Sequence, residues 1–204
     1  RLLLIRHAQT DWVGRAIAGR TPSIPLNAVG RAQARDLAEA LAPMPLARIL
    51  SSPLERARET AAALAAGRDV PVEVAPELDE VDSGVWTGRA VADLRGDERW
   101  TALHAFRSGH AIPGGESLLD VQRRVVTLLL RLRDEAGDTA ARIALVTHGD
   151  AIRAAVVHFL GMPLDLVERL TIPTASVTAL RLKAWGAELQ GVGWTVAPPG
   201  ADAG

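Results

Sequence analysis

The sequence predicts an α/β protein in which helices cover both faces of a mostly parallel central sheet. Residues 2–5 and 143–146 are short, continuous apolar runs, the pattern of strands that are buried on both faces. Segments with apolar residues at helical spacing lie between such runs, and strands that alternate with helices are typical of a parallel sheet. The chain has 204 residues, 48% of them hydrophobic, and no Pro/Gly/Ser-rich linker. We therefore expect residues 1–204 to form one domain with a sizeable core.

In the first half of the chain the sequence predicts a strand, a helix, a strand, a helix and a short strand, at residues 2–5, 27–41, 48–50, 53–66 and 70–74. Asn27 suits a helix N-cap, because its side chain can accept a hydrogen bond from a backbone N–H. Pro53, in the sequence Ser-Ser-Pro, suits the first turn of the second helix. Pro71 cannot donate a ladder hydrogen bond, so we place the third strand at an edge of the sheet.

In the second half the sequence predicts short helical pieces, a long helix, a strand, a helix and a final core strand, at residues 90–106, 117–132, 143–146, 151–160 and 176–182. A loop rich in acidic residues and glycine, residues 76–88, joins the two halves. Ser117 follows Gly-Gly-Glu and opens the long helix. The edge strand near Val72 or the final strand offers a surface through which two copies can pair as a homodimer.

Composition and charge exclude several classes of function. The formal net charge of −1 gives no global basic field that attracts nucleic acid or an anionic membrane surface. The apolar runs are far too short to span a bilayer. The absence of cysteine excludes thiol catalysis, disulfides and cysteine-based metal sites. No signal peptide is recognisable, although the chain begins with Arg1 rather than Met, and we expect a cytoplasmic protein.

Polar side chains follow three of the predicted strands. The first strand ends in Arg6 and His7, the second leads through the Ser-Ser-Pro turn to Arg56, and the strand at 143–146 is followed by a Thr-His-Gly sequence that contains His148. Ligands bind at the carboxyl ends of the strands in sheets of this kind. Two histidines and two arginines from distant parts of the chain are therefore expected at one edge of the sheet.

These side chains suit a phosphoryl group. Guanidinium groups offer a rigid fork of donors to an anion that carries about two charges. A neutral imidazole can attack phosphorus, and the positive charge of Arg6 beside His7 disfavours the imidazolium form. His148, at a helix entrance, can donate to the equatorial oxygens in the transition state. Glu80, in the acidic loop, can protonate the leaving oxygen as a general acid. Glu77, Asp79 and Asp82 of the same loop are the alternatives for this role.

Several ordered segments resemble the motifs of the histidine phosphatase superfamily, also called the phosphoglycerate-mutase-like family. The resemblance extends from Leu2 to about Leu182. The matching segments are Arg-His-Ala-Gln-Thr at residues 6–10, Pro-Leu-Asn at 25–27 with Gly30 and Gln33, Ser-Ser-Pro-Leu-Glu-Arg-Ala at 51–57 with Thr60, Leu-Asp-Glu at 78–80 with Gly84, Trp86 and Gly88, Pro-Gly-Gly-Glu-Ser at 113–117 and Thr-His-Gly at 147–149.

The resemblance implies a three-layer α/β/α sandwich and a metal-independent phosphomonoesterase that forms a phosphohistidine on His7, with Glu80 as general acid and base. No cofactor or metal is implied, and the expected partner is a small-molecule phosphate ester. The implied site consists of the catalytic residues His7, Glu80 and His148 and the phosphate-binding residues Arg6, Arg56, Thr10 and Gly149.

Two positions depart from the family pattern. Ala8 replaces the Gly that commonly follows the nucleophile, and we expect its Cβ to lie near the phosphate. Val13 stands where many members carry an Asn that contacts the phosphate. Among the remaining candidates we expect surface or pocket-rim positions for the other histidines, packing roles for two tryptophans and a solvated helix face for a basic stretch: His104, His110 and His158; Trp12 and Trp86; Arg123 to Arg133.

Two alternative functions stay open. A cofactor-dependent phosphoglycerate mutase would transfer the phosphoryl group to a second hydroxyl, but mutases of this family tend to have a longer segment than residues 88–114 and an Asn where this chain has Asp150. A catalytically weak phospho-ligand-binding module would keep the arginines and lose the nucleophile or the acid, and both His7 and Glu80 are present. A sugar phosphate, a phosphoglycerate, a nucleoside phosphate and a ribazole phosphate all stay open as substrates.

Overall fold

The computed structural model describes residues 1–137 and 141–196. The strands are β1 Leu2–Arg6, β2 Arg48–Ser51, β3 Val72–Val74, β4 Ile143–Thr147, β5 Val177–Lys183 and β6 Gly186–Trp194. The α-helices are α1 Ala28–Leu41, α2 Glu55–Ala65, α3 Val91–Leu94, α4 Glu98–Ala105, α5 Leu118–Ala136 and α6 Gly149–Phe159. Three short 3-10 helices lie at Pro76–Leu78, Gly84–Trp86 and Leu164–Arg169. The predicted domain of residues 1–204 also includes residues 138–140 and 197–204, which lie outside the described residues. Within residues 1–137 and 141–196, no helix is long and apolar enough to cross a membrane.

The strands form one six-stranded sheet in the order β3-β2-β4-β1-β5-β6. Strands β3, β2, β4 and β1 are parallel to one another. Strand β5 is antiparallel to both β1 and β6. The predicted α/β fold with a mostly parallel sheet is thereby confirmed. Helices connect the parallel strands because such strands need a crossover of a dozen or more residues. β3 lies at the edge, where Pro71 costs no ladder hydrogen bond.

Strand β6 was not predicted. All of its side chains are exposed or half-buried, and its glycines interrupt the alternation of apolar and polar residues that marks a strand. β6 pairs with β5 along its length, so β5 has no open edge for a second copy. The edges among the described strands are β3 and β6. The homodimer itself stays a prediction.

The side chains of β1 alternate between two apolar cores. Leu3 and Ile5 pack in the core beneath α1 and α2, and Leu2 and Leu4 pack in the core beneath α5 and α6. The sheet is therefore the middle of three layers, as predicted. All four side chains are at most 3% exposed.

The helix starts position the site. Asn27 Oδ1 accepts a hydrogen bond from the Gly30 N–H at 2.8 Å, which is the predicted cap. Ser117 forms a capping box with Asp120 at the start of α5. Helix α2 begins at Glu55 rather than at Pro53, because Leu54 keeps an extended backbone. Helix α6 begins at Gly149, two residues before its predicted start, so that His148 is its N-cap residue.

The predicted helical pieces of residues 90–106 are α3 and α4. They pack around a small core of their own, formed by Trp86, Leu94, Leu103 and Ile112. This core is separate from the two cores beside the sheet. It forms one wall of the cavity described below.

Candidate active site

The two histidines meet where β1 and β4 end. The strands pair in parallel, with Arg6 opposite Thr147, and the His7 N–H donates to the Thr147 carbonyl at 2.9 Å. His148 directly follows Thr147, the last residue of β4. The ring centroids of His7 and His148 are 5.1 Å apart. Parallel register alone therefore explains why residues from opposite halves of the chain share one site.

The imidazole of His7 is fixed in one tautomer. The ring is buried, and Nδ1 lies 2.8 Å from the Ala8 carbonyl oxygen. A carbonyl only accepts hydrogen bonds, so Nδ1 carries the proton and Nε2 keeps its lone pair. Burial, together with the charges of Arg6 and Arg56, holds the pKa of His7 well below its ordinary value. His7 is therefore a neutral imidazole with a free Nε2.

Two arginines supply positive charge next to His7. Arg6 Nη1 donates to the Ile172 carbonyl at 2.6 Å, and Arg56 Nη2 donates to the Gly19 carbonyl at 2.8 Å. The Arg56 side chain is almost completely buried, and no described residue accepts a hydrogen bond from its Nε or Nη1. Burial lowers the pKa of Arg56, while the Glu80 and Asp79 carboxylates act in the opposite direction. A buried guanidinium with unpaired donors is suited to bind an anion.

The Glu80 carboxyl lies beside His148 and within electrostatic reach of both arginines. Its Oε1 accepts the Val81 N–H at 2.9 Å, and its Oε2 lies 3.6 Å from His148 Nδ1. Burial, followed by the nearby charge of Asp150, raises the pKa of Glu80 to about 7 against the lowering effect of Arg56. Glu80 can therefore hold a proton near neutral pH and release it within the site.

Arg124 holds the acidic loop in place. Its guanidinium donates to the carbonyls of Glu77 at 2.7 Å, Asp79 at 2.8 Å and Glu80 at 3.1 Å, and also to the Glu116 carboxylate. The Arg124 side chain is only 17% exposed. The prediction of a solvated basic face is therefore wrong at this position, because helix α5 turns Arg124 toward the loop.

His148 is held through Nε2, the ring nitrogen that does not face Glu80. The ring is completely buried, and Nε2 lies 2.9 Å from the Ser52 hydroxyl. That hydroxyl lies 3.3 Å from Asp79 Oδ1, to which it donates, so His148 Nε2 is the donor and Ser52 the acceptor. Burial, followed by the electrostatic effect of the neighbouring His7 ring and of Arg56 and Arg6, holds the pKa of His148 well below its ordinary value. Ser52 was not among the predicted site residues, since the Ser-Ser-Pro sequence indicated a helix start and the segment that carries Arg56.

The remaining predicted positions lie at the same site. Thr10 is buried, and its Oγ1 accepts the Trp12 N–H at 3.3 Å. Gly149 begins α6, where the helix leaves backbone N–H groups without an intrahelical partner. A Cβ on Gly149 would lie 3.6 Å from Arg6 Nε, which is an ordinary contact. Ala8 differs from expectation: its side chain packs in the core beneath α1 and α2, and not toward the phosphate site.

A cavity of about 230 Å³ extends from this cluster. Arg6, Thr10 and Glu80 line one part, and the wall formed by α3, α4 and their small core lines another. Three of the side chains expected to pack or to lie at the rim line the cavity: Trp12, Trp86 and His104. Val13, which departs from the family pattern, lines it too. Arg107 and Asp150 also line it and form an ion pair at 3.2 Å. No motif marked Arg107, because its partners lie far along the chain.

Comparison with known proteins gives a consistent result. The model of the histidine phosphatase superfamily (branch 1) matches residues 2–195. The "Probable phosphoglycerate mutase GpmB" of Enterobacter sp. (strain 638) is 33% identical over 187 residues, which cover 88% of this chain and 84% of that protein. The adenosylcobalamin/alpha-ribazole phosphatase of Salmonella typhimurium is 34% identical over 166 residues, which cover 80% of this chain and 81% of that protein.

Solved structures agree. A mycobacterial glucosyl-3-phosphoglycerate phosphatase superposes with a TM-score of 0.85 and 29% identity over 95% of this chain and 98% of that one. The alpha-ribazole phosphatase of Shigella flexneri superposes with a TM-score of 0.83 and 28% identity over 94% of this chain and 95% of that one. The predicted resemblance is confirmed, and the chain belongs to the histidine phosphatase superfamily.

Proposed function

We propose that this protein is a metal-independent phosphomonoesterase that works through a phosphohistidine on His7. One observation carries the proposal: a neutral His7 with a free Nε2 and a Glu80 carboxyl whose pKa is about 7 share the same two arginine neighbours, Arg6 and Arg56. A nucleophile without a proton and an acid with one can therefore coexist near neutral pH. The phosphatase relatives support hydrolysis as the reaction class. The expected substrate is a small-molecule phosphate ester, and the cytoplasmic location stays a prediction.

In the first step His7 Nε2 attacks the phosphorus of the monoester. The bond from phosphorus to the ester oxygen breaks as the nitrogen–phosphorus bond forms, and the leaving oxygen takes the proton of Glu80. An alcohol departs, His7 carries the phosphoryl group, and Glu80 becomes a carboxylate. The hydrogen bond from Nδ1 to the Ala8 carbonyl stabilises the positive charge that develops on the ring.

In the second step water attacks the phosphohistidine. The Glu80 carboxylate takes a proton from the water, the nitrogen–phosphorus bond breaks, and orthophosphate leaves with His7 and Glu80 restored. Arg6 and Arg56 bind the equatorial oxygens in both steps, where charge accumulates in the transition state. The dianion favours the imidazolium form of His148, which can then donate from Nδ1 while Nε2 stays on Ser52. Thr10 and the Gly149 N–H complete the phosphate site.

A cofactor-dependent phosphoglycerate mutase is the second candidate. The similarity to the Enterobacter protein named as a mutase favours it. The same first step would serve, but a substrate hydroxyl would replace water in the second. A catalytically weak binding module would lack the nucleophile or the acid. Because this chain has both His7 and Glu80, we do not favour that function.

The first test follows phosphate release from a panel of phosphomonoesters in EDTA, together with conversion of 3-phosphoglycerate to 2-phosphoglycerate in the presence of its bisphosphate primer. We expect metal-independent release that His7→Ala reduces by at least about a thousandfold. Acid-free quenching and mass spectrometry should find phosphate on His7 in the wild type. His158→Ala, which changes an exposed histidine, is the control. Isomerisation with little phosphate release would establish the mutase. No phosphate release and no isomerisation would favour the binding module.

A further inference from the structure

The cavity wall beyond the phosphate site contains two buried donors without partners. Trp86 is 1% exposed and Arg107 is 6% exposed, and both line the cavity. No described residue accepts a hydrogen bond from Trp86 Nε1 or from Arg107 Nε. Buried N–H groups are almost always satisfied, so donors left over at a cavity indicate a ligand that carries acceptor atoms there.

The same wall offers an acceptor. His104 lines the cavity, and its Nδ1 lies 2.8 Å from the Trp100 carbonyl oxygen, to which it donates. With Nδ1 used as the donor, Nε2 is the ring nitrogen that can accept a hydrogen bond. The ring also packs on Trp100, with centroids 4.2 Å apart, which limits its rotation. A ligand group that both donates and accepts, such as a hydroxyl, matches this combination of donors and acceptor.

The wall carries no uncompensated positive charge. Arg107 Nη2 contacts Asp150 at 3.2 Å and Glu168 at 3.0 Å, and Asp150 also pairs with Arg153 at 3.1 Å. Two guanidinium groups thus face two carboxylates. A second anionic group on a ligand would lose its hydration among tryptophan side chains without gaining a free cation.

We propose that this cavity binds an uncharged, hydroxyl-bearing leaving group, and that it disfavours phosphate esters with a second negative charge. The inference rests on the proposed function for the identity of the phosphate site, and it names the substrate class. Uncharged polyols and sugar-like groups fit the class. Carboxylated groups, phosphoglycerates among them, do not.

The test measures binding to the His7→Ala protein, so that its outcome does not depend on turnover. Calorimetry compares glycerol 3-phosphate, 3-phosphoglycerate, n-propyl phosphate and inorganic phosphate. Glycerol 3-phosphate and 3-phosphoglycerate differ only in a hydroxymethyl and a carboxylate group. We expect glycerol 3-phosphate to bind at least about tenfold more tightly than either 3-phosphoglycerate or n-propyl phosphate.

Two substitutions in the same protein separate the contributions. Trp86→Phe keeps a ring and removes the N–H, so the preference for glycerol 3-phosphate over n-propyl phosphate should fall about fivefold. Glu168→Gln leaves Arg107 with more uncompensated charge, so binding of 3-phosphoglycerate relative to glycerol 3-phosphate should rise about fivefold. Glu135→Gln is the matched control, because Glu135 pairs with Arg48 at the opposite end of β2 from the site.

Two results would overturn the inference. One is equal or tighter binding of 3-phosphoglycerate, which indicates a cation that the wall does not contain. The other is binding of all three esters no tighter than inorganic phosphate, which means that the cavity contributes nothing. Either result leaves the proposed function intact if the wild type hydrolyses phosphomonoesters, whereas failure of every hydrolysis assay counts against the proposed function alone.

Discussion

At the scale of single residues, the two histidines differ in the nitrogen that the fold holds. His7 is held through Nδ1 by a backbone carbonyl, and His148 through Nε2 by the Ser52 hydroxyl. In the proposed mechanism the opposite nitrogen of each ring takes part in the reaction. Nε2 of His7 attacks the phosphorus, and Nδ1 of His148, which lies 3.6 Å from Glu80 Oε2, donates to the phosphoryl group. This difference depends on which hydrogen-bond partner each ring meets in the folded chain, and no sequence motif specifies that partner.

The raised pKa of Glu80 predicts a pH dependence that varies with the leaving group. Glu80 must be protonated to donate, so kcat/KM for an alkyl phosphate should fall as the pH rises through about 7. The reaction of 4-nitrophenyl phosphate needs no such proton and should stay flatter over the same range. Glu80→Gln should reduce alkyl phosphate turnover by about a hundredfold and aryl phosphate turnover by less in the first step. Parallel pH profiles for both esters would contradict this role.

The same pKa makes Glu80 a source of instability. Its folded pKa of about 7 lies above the ordinary value of 4.5, so its contribution to stability is present below pH 4.5 and is lost as the pH rises through 7. Glu80→Gln removes this ionisation. The free energy of unfolding should therefore rise by on the order of 2 kcal/mol at pH 8 and change little at pH 4. Urea denaturation at both pH values checks this, and an equal change at both would count against it.

At the scale of elements, the acidic loop has its shape because α5 presents Arg124 to its carbonyls. The sequence pattern of α5 is amphipathic, and its Ser117 cap and buried face could be predicted from local residues. The role of Arg124 could not, because it depends on carbonyl groups that every residue carries. β6 escaped prediction for a related reason: backbone pairing with β5 defines it, and its half-buried side chains give no alternation.

Adjacent arginines on α5 provide a test of this loop. Arg124→Met should reduce kcat by about ten- to a hundredfold with little change in secondary structure, because a displaced Glu80 no longer meets the leaving oxygen. Arg123→Met is the control, since the Arg123 side chain is 80% exposed and pairs with Asp120 of its own helix. Steady-state kinetics measures kcat of the two variants, and circular dichroism compares their secondary structure. Equal effects of both changes would exclude the proposed function of Arg124 in positioning Glu80.

At the scale of the whole molecule, one sheet belongs to two cores. The apolar runs and their connecting helices predicted this arrangement, because strands buried on both faces need helices on both sides. The strand ends likewise predicted that His7, His148 and the two arginines lie close together. The cavity wall was beyond prediction, because Arg107 contacts residues from α6 and the 3-10 helix Leu164–Arg169, and only the tertiary fold places them together.

Because β1 packs in both cores, we propose that the described sheet unfolds as a single unit. Leu4→Ala, at a completely buried position of β1, should lower the free energy of unfolding by about 2–5 kcal/mol. Tryptophan fluorescence and circular dichroism should report one coincident transition in urea. Val29→Ala on α1, where the side chain is 58% exposed, should change the stability little. Two separated transitions would contradict the single-domain prediction.

Between turnovers, the Arg56 guanidinium lies buried with two donors that no described residue satisfies. Any tetrahedral dianion that enters the site relieves this penalty, whether it arrives as substrate or remains as released orthophosphate. Under the proposed function, orthophosphate is thus both the product and a competitor for the resting site. The rate of the proposed hydrolysis should therefore fall as the orthophosphate concentration rises, which couples the activity to the concentration of its own product.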